Sequence, residues 1–209
     1  MTRDAQARAD AFTAATADAR GAVTYPELDR AMDRYAQGDD AAFAALHAGL
    51  EPRLRRFLLR LTGDPSRAAD LAQEAFLRIH RSRGSFAAGG AVMPWALAIA
   101  RNVYRDEVHR YQPPLERDDK DGEAAVTRVP AQTGTAEQHA LAHEAADVVR
   151  RVLAALPVAQ REAFVMLRFE GLSLKEIADI LDVTPTAVKL RAFRAYEAIR
   201  DALREREER

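Results

Sequence analysis

Apolar residues recur along most of this chain at the three- and four-residue spacing of amphipathic helices. The longest run covers residues 43–61, where the apolar positions are Phe43, Leu46, Leu50, Leu54, Phe57, Leu58 and Leu61. We expect Asp40 to cap this segment, and Gly49 and Pro52 to kink or divide it, because proline removes a helical hydrogen bond. No alternation of apolar and polar residues persists as it does in strands, so the pattern predicts an all-α protein.

Turn and cap residues predict further helices separated by irregular segments. Pro65, preceded by an aspartate, opens a helix to about His80, and Pro94 opens another to about Arg110. The glycine-containing segment 82–93 between them is expected to be a loop. These boundaries predict a first helical domain over about residues 28–111.

The rest of the chain predicts a second helical domain on a tether. Residues 112–140 are acidic and rich in proline and glycine, which is typical of a flexible linker. A helical block then covers 141–200, the extension 1–27 is expected to be mobile, and 201–209 is a charged tail. The chain has no cysteine and no apolar run near the roughly 20 residues of a membrane span, so we expect a soluble cytoplasmic protein.

The segment 173–191 has the pattern of a helix-turn-helix. Ser173 and Glu176 form a capping box, and Asp182 in the turn tolerates a left-handed backbone. Pro185 opens a second helix, whose predicted buried side is Val188, Ala192, Ala195 and Ile199. This leaves one set of polar and basic side chains outside: Thr184, Thr186, Lys189, Arg191 and Arg194. This arrangement predicts a helix that enters the major groove of DNA, although an ordinary helical hairpin with a solvated basic face has the same periodicity.

The distribution of charge supports contacts with a polyanion at two places. The net charge of −1 combines 11 basic and 6 acidic residues in 41–111 with an acidic 112–140. The segment 185–200 holds Lys189, Arg191, Arg194 and Arg200 against the single acid Glu197. Two locally basic surfaces separated by an acidic segment predict two nucleic-acid contacts.

The predicted helix 65–80 carries a second stripe beside its core. The expected core positions are Ala69, Ala72, Phe76 and Ile79, and the second stripe is Asp70, Gln73, Glu74 and Leu77. Two carboxylates, an amide and a leucine on one face are typical of a protein interface. A solvated face with one exposed leucine explains the same residues, and periodicity alone does not decide between them.

The predicted helix 94–110 places like charges on one face. Arg101 and Arg105 repel each other unless Asp106 and Glu107 or an external anion compensates, and phosphate is the expected anion. Asn102, His109 and Arg110 lie on the same predicted helix. Phe86 lies in the preceding loop and Trp95 at the start of the helix, and their rings either stack on unpaired bases, anchor the core, or do both.

These motifs, in this order, resemble the bacterial RNA polymerase sigma factors, and in particular the extracytoplasmic-function (ECF) group of the sigma-70 family. The first set is Asp70-Leu-Ala-Gln-Glu-Ala-Phe-Leu-Arg, Pro94-Trp95 and Ile99-Ala100-Arg101-Asn102. The second is Leu156-Pro157, Arg161-Glu162 and the segment 173–194. The resemblance covers about residues 28–111 and 141–200.

The resemblance implies a transcription initiation factor that binds core RNA polymerase, recognises minus-35 and minus-10 promoter elements and promotes DNA opening. It implies polymerase contacts by Asp70, Gln73, Glu74, Phe76 and Leu77. It implies minus-10 contacts by Phe86, Trp95, Arg101, Asn102, Arg105, His109 and Arg110, with an unpaired base held by the loop 82–93. It implies minus-35 contacts by Thr184, Thr186, Lys189, Arg191 and Arg194, and an anti-sigma factor as a further partner.

Two other functions fit parts of the sequence. A stand-alone helix-turn-helix regulator would bind duplex DNA without polymerase and would not need Asp70 or Glu74. A sigma-like decoy that titrates an anti-sigma factor would not need the basic helix. No phosphate loop or catalytic triad is evident, so we expect no enzymatic activity and no cofactor. His139 and His143 have a zinc-compatible spacing, but two histidines without cysteine do not predict a metal site.

Overall fold

The computed structural model describes residues 24–111 and 136–207, with side chains over 24–110 and 145–206, and its regular elements are all helical. The helices are α1 (Pro26–Ala36), α2 (Ala42–Thr62), α3 (Pro65–Ser82), α4 (Val92–Tyr111), α5 (Ala136–Ala155), α6 (Val158–Arg168), α7 (Leu174–Leu181) and α8 (Pro185–Glu207). They fall into two compact units, α1–α4 and α5–α8. The predicted all-α fold is confirmed for the part of the chain that the structure describes.

Helix α2 forms the centre of the first unit. Its predicted apolar stripe is almost entirely inaccessible to solvent, with Leu46, Leu50, Leu54, Phe57, Leu58 and Leu61 at 0% exposure. These side chains pack against α1, α3 and α4, which surround α2. Because burying a leucine or phenylalanine contributes about 1.5–3 kcal/mol, this stripe is the main source of cohesion in the unit.

The expected cap of α2 at Asp40 is wrong, and so is the expected division of the helix at Gly49 or Pro52. The amide of Ala41 bonds to Oδ1 of Asp39 at 3.1 Å, so Asp39 rather than Asp40 supports the start of the helix. Pro52 lies inside a continuous helix that runs from Ala42 to Thr62, so neither it nor Gly49 divides the segment. The ring of Pro52 lies on the exposed side, while apolar contacts on the opposite side hold both halves of the helix in place. Packing here outweighs the lost backbone bond.

The loop between α3 and α4 is shorter than predicted. Helix α3 begins as expected, with the Asp64 carboxylate accepting hydrogen bonds from the amides of Ser66 and Arg67 at 2.8 and 3.1 Å. It continues to Ser82 and is followed by a 3-10 turn over Arg83–Ser85. Helix α4 begins at Val92 rather than Pro94. The irregular segment is therefore 86–91, which we call the α3–α4 loop.

In the second unit, α8 packs against α5, α6 and α7. The predicted buried positions of α8 are confirmed: Val188, Ala192 and Ala195 are 0% exposed and Ile199 is 3% exposed. Arg200 was expected to add to a basic surface, but it is 5% exposed and lies 3.9 Å from the buried Glu197. Helix α5 begins at Ala136, inside the segment predicted as linker.

Several predicted segments lie outside the described residues. These are most of the N-terminal extension, the linker as far as residue 135 and the last two residues of the tail. The side chains of His139 and His143 are outside the description as well. Over the described part of the chain, no helix combines the length and apolar character that crossing a bilayer requires.

Candidate functional site

One side of α3 is exposed as the sequence predicted. Asp70 and Gln73 are exposed, Leu77 retains 51% of its surface, and Glu74 is partly covered. We call these four residues the α3 face. Leu77 and Phe169 are the large apolar side chains that the described part of the structure leaves exposed. An exposed leucine between carboxylates and an amide has the composition of a protein-binding surface.

Phe76, predicted to contact polymerase, lies mainly inside the first unit. Its side chain is 7% exposed. The ring meets Phe43 edge-on, with centroids 6.4 Å apart, and lies 4.3 Å from the ring of His47. Phe76 therefore supports the α3 face from below, and only its edge is available to a partner.

Two arginines of α3 bind the carboxylates that follow Arg105 on α4. Arg67 Nη2 lies 2.8 Å from Glu107 Oε2, and Arg78 Nη1 lies 2.6 Å from Asp106 Oδ2. Arg78 also donates through Nε to Glu74 Oε1 at 3.0 Å. The hydrogen bond to Glu107 raises the pKa of Arg67, and the bonds to Asp106 and Glu74 raise the pKa of Arg78. These pairs join the α3 face to α4.

The α3–α4 loop contains a tight turn over residues 87–90. The amide of Gly90 donates to the carbonyl of Ala87 at 2.9 Å, and Gly89 has φ +73° at the third position, as type II turns require. Phe86 is 9% exposed and meets Trp95 edge-on, with ring centroids 5.2 Å apart. Trp95 is half-buried, so both rings anchor the loop and part of the indole remains accessible.

Two carboxylates of α1 bind this loop and the first turn of α4, and no pattern in the sequence predicts these bonds. Asp33 Oδ1 accepts a hydrogen bond from the amide of Gly89 at 2.9 Å. Asp29 Oδ1 accepts one from the amide of Val92 at 2.8 Å. The loop is therefore connected to a helix about sixty residues earlier in the chain.

The outer side of α4 continues from the loop to the last turn of the helix. Asn102, His109 and Arg110 are exposed, and Arg101 and Arg105 are half-buried. Arg101 Nη1 lies 3.3 Å from Asn102 Oδ1, so these two side chains already contact each other. The predicted minus-10 residues from Arg101 to Arg110 thus lie on the same continuous helix as Trp95.

The helix-turn-helix forms as predicted. The Ser173 hydroxyl accepts from the amide of Glu176 at 3.2 Å, while Glu176 Oε2 accepts from the amide of Ser173 at 2.8 Å. Asp182 adopts φ 53° and ends α7. Thr184 Oγ1 accepts from the amide of Ala187 at 3.2 Å and supports the start of α8. These bonds fix the starts of α7 and α8, and they join residues that are only three positions apart in the sequence.

The predicted reading side of α8 is accessible. Thr184 and Thr186 are exposed, and Lys189, Arg191 and Arg194 are half-buried. Phe193 is 5% exposed and belongs to the core. The helix therefore presents hydroxyl and cationic groups along one side, which is the chemistry that contacts phosphates and base edges.

Comparisons with known proteins match both units. Residues 46–113 match the family model "Sigma-70 region 2", and residues 146–199 match "Sigma-70, region 4". The chain is 34% identical over 179 residues to the RNA polymerase sigma factor CarQ of Myxococcus xanthus, covering 84% of this chain and 97% of the relative. It is 26% identical over 182 residues to the ECF RNA polymerase sigma factor SigW of Bacillus subtilis, covering 85% and 97%.

A solved structure has a similar fold. It is the sigma factor RpoE of Bartonella quintana in complex with the anti-sigma factor NepR, with a TM-score of 0.59 and 23% identity over 78% of this chain and 96% of that chain. Two helical units that match sigma-70 regions 2 and 4, together with a relative that is 34% identical, define the class of protein as a promoter-specificity factor. The chain belongs to the RNA polymerase sigma factors, in the ECF group, and directs RNA polymerase to promoters.

Proposed function

We propose a division of labour in which the first unit binds polymerase and opens the minus-10 element while the second reads the minus-35 element. The observation that carries this proposal is the α3 face, where Leu77 is 51% exposed on the same side of the helix as Asp70, Gln73 and Glu74. Asp70, Gln73 and Leu77 supply the accessible contacts. Glu74 contributes less freely because it also binds Arg78.

The promoter contacts divide between the two units. The α3–α4 loop and the outer side of α4, from Trp95 to Arg110, contact the unpaired non-template strand, where aromatic and cationic groups bind bases and phosphates. The outer side of α8, with Lys189, Arg191 and Arg194, contacts the duplex of the minus-35 element. Phe76 and Phe86 act mainly by supporting these surfaces, because both lie in the core.

The polymerase contact is tested by binding of purified core enzyme. Replacing Leu77 by Ala removes an apolar group of the kind that contributes about 1.5–3 kcal/mol when buried, so core affinity is expected to fall about tenfold or more. Arg55→Ala on α2 is the control, since it also truncates an exposed side chain. A stand-alone DNA-binding regulator would instead bind duplex promoter tightly without core enzyme and would be insensitive to Leu77→Ala.

The promoters themselves are identified with the holoenzyme reconstituted from core enzyme and this chain, which is incubated with genomic fragments; the bound fragments are then sequenced.

An anti-sigma factor is a further proposed partner, and the cytoplasm is the proposed location. The Bartonella quintana complex, whose fold this chain shares, supports the partner, and the sigma-factor relatives support the location. Co-purification of the tagged chain from its own host tests the partner, and fractionation of the host cells tests the location. A polypeptide that competes with core polymerase for the chain would support the partner, whereas recovery of polymerase subunits alone would count against it.

A further inference from the structure

Helix α1 provides a rigid base beside the α3–α4 loop. Met32 and Tyr35 are 0% and 2% exposed, and they fix α1 in the core of the first unit. Asp29 and Asp33 are four residues apart, so both carboxylates lie on one side of the helix. Helix α1 also precedes the segment 46–113 that matches the family model. The match to the family model therefore does not by itself describe the contacts of α1 with the loop.

Each carboxylate satisfies an amide that the local structure leaves without a partner. In a type II turn the hydrogen bond uses the fourth residue's amide, so the amide of Gly89 at the third position is free to bind Asp33. The amide of Val92 is the first in α4, where no preceding carbonyl is available, and it binds Asp29. A carboxylate at a helix N-terminus also interacts favourably with the helix dipole.

The two bonds hold the loop at its turn and at its junction with α4. One fixes the turn over residues 87–90, and the other fixes the first turn of α4, just before Trp95. Phe86 also packs edge-on against Trp95, so the loop is held both by α1 and by this aromatic pair. A loop held in this way does not have to be ordered when it receives an unpaired base.

We propose that Asp29 and Asp33 are positioning residues for promoter opening, which hold the α3–α4 loop in the shape that binds the unpaired non-template strand. This inference rests on the proposed role of the loop at the minus-10 element. Neither carboxylate needs to touch DNA. If the loop loses a bond and adopts the competent shape only part of the time, the apparent affinity falls by that fraction.

The test uses holoenzyme reconstituted from core polymerase and the full chain. The probe is a fluorescent single-stranded oligonucleotide carrying the non-template minus-10 segment of the promoter that gives the strongest run-off transcript. The variants are Asp33→Ala, Asp33→Asn, Asp29→Ala and Asp29→Asn. Asp39→Ala is the matched control, since it removes a carboxylate of the same unit that bonds a backbone amide at 3.1 Å outside the loop, that of Ala41.

We expect each alanine variant to bind the oligonucleotide about tenfold more weakly, as befits loss of one hydrogen bond to a charged acceptor. The asparagine variants retain an acceptor oxygen and should stay within about twofold of the unchanged chain, as should Asp39→Ala. Core affinity should be unchanged in all five variants. Amide hydrogen exchange at Gly89 and Val92 should accelerate in the matching alanine variant alone, which reports the bond without using DNA.

The outcomes separate this inference from the proposed function. If the unchanged holoenzyme does not bind the oligonucleotide, the proposed role of the loop is wrong, and faster exchange at Gly89 would then show only a structural bond. If the unchanged holoenzyme binds it and the alanine variants bind equally well, the positioning role is overturned. Equal losses in the asparagine variants or in Asp39→Ala would also overturn it, because they would indicate general destabilisation.

Discussion

The helix-turn-helix and the α3–α4 loop, the two parts of the molecule that we propose contact DNA, are held in different ways. In the helix-turn-helix the capping bonds join residues three apart, Ser173 with Glu176 and Thr184 with Ala187. The loop has one local bond, between Gly90 and Ala87, and two bonds to residues 56 and 63 positions away, from Gly89 to Asp33 and from Val92 to Asp29. If α8 meets preformed duplex DNA as proposed, local bonds are enough to shape it. If the loop receives an unpaired strand as proposed, its shape depends on the rest of its unit as well.

The largest expected effect comes from reversing a charge on the reading side of α8. Arg191→Glu removes a cation and places an anion beside the phosphates, so affinity of the holoenzyme for duplex promoter should fall on the order of a hundredfold. Because the helix-turn-helix is held by local bonds, folding and core binding should not change. Fluorescence anisotropy with labelled duplex measures the affinity at fixed salt.

Arg151→Glu on α5 is the control for that change. It makes the same charge reversal at an exposed position of the second unit. Equal losses in both variants would mean that total charge, rather than the outer side of α8, determines promoter binding. Full affinity in Arg191→Glu would move the reading surface elsewhere on the unit.

The same contrast explains what the sequence could and could not predict. The capping box at Ser173, the left-handed Asp182 and the buried stripe of α8 are encoded within a few residues, and all were predicted correctly. The apolar stripe of α2 and the exposed α3 face follow from helical periodicity in the same way. These features need no knowledge of distant partners.

The errors occur where a distant contact decides the outcome. Pro52 does not divide α2, because three neighbouring helices hold it straight enough to continue. Helix α4 begins at Val92 because Asp29 bonds the first amide there. No pattern within one helix could have revealed these two partners. The error at Arg200 is of another kind: its neighbour Glu197 lies three residues earlier on α8, and what the local pattern did not show is that both side chains are buried.

A substitution inside the loop should have the next largest effect. In Gly90→Ala the new Cβ would lie 2.8 Å from the carbonyl oxygen of Ala87, so the turn must open. Strain of about 1–3 kcal/mol is expected, and it should lower the rate of open-complex formation about tenfold while duplex binding through α8 persists. Permanganate reactivity of unpaired thymines measures opening directly.

Gly84→Ala is the matched control for the loop. Its added Cβ would meet no atom within 4 Å, and its backbone is not in the left-handed region. It should open promoters like the unchanged chain. If Gly90→Ala also opened promoters normally, the exact shape of the loop would not matter for opening, and the contrast with the helix-turn-helix would be lost.

A smaller effect is expected when a local bond of the helix-turn-helix is removed. Ser173→Ala removes the cap of α7 and should lower the free energy of unfolding of the second unit by about 1 kcal/mol. The single tryptophan, Trp95, lies in the first unit, so its fluorescence transition should not move. Circular dichroism and amide exchange at Glu176 should report the loss.

Lys175→Ala, at an exposed neighbouring position, is the control and should change neither the circular dichroism transition nor the exchange at Glu176. A shift of the Trp95 transition in Ser173→Ala would contradict the local character of the bond.

The smallest effect is expected for an exposed ion pair between residues far apart in the sequence. It tests whether every such long-range contact stabilises the first unit. Arg78 and Asp106 are 28 positions apart, yet their side chains are 34% and 51% exposed. A double-mutant cycle with Arg78→Met and Asp106→Asn should give a coupling of about 0.2–1 kcal/mol, reduced by added salt, because water screens the pair.

The bond to Asp106 raises the pKa of Arg78, so the arginine's contribution is fully present below its ordinary pKa and is lost only as pH rises through the raised value. The coupling read from Trp95 fluorescence should therefore not weaken on going from neutral to mildly alkaline solution. A coupling well above 1 kcal/mol would indicate that exposed ion pairs, as well as the carboxylate bonds from α1, fix the first unit. A small one leaves the amides of Gly89 and Val92 as the distant contacts on which the loop depends.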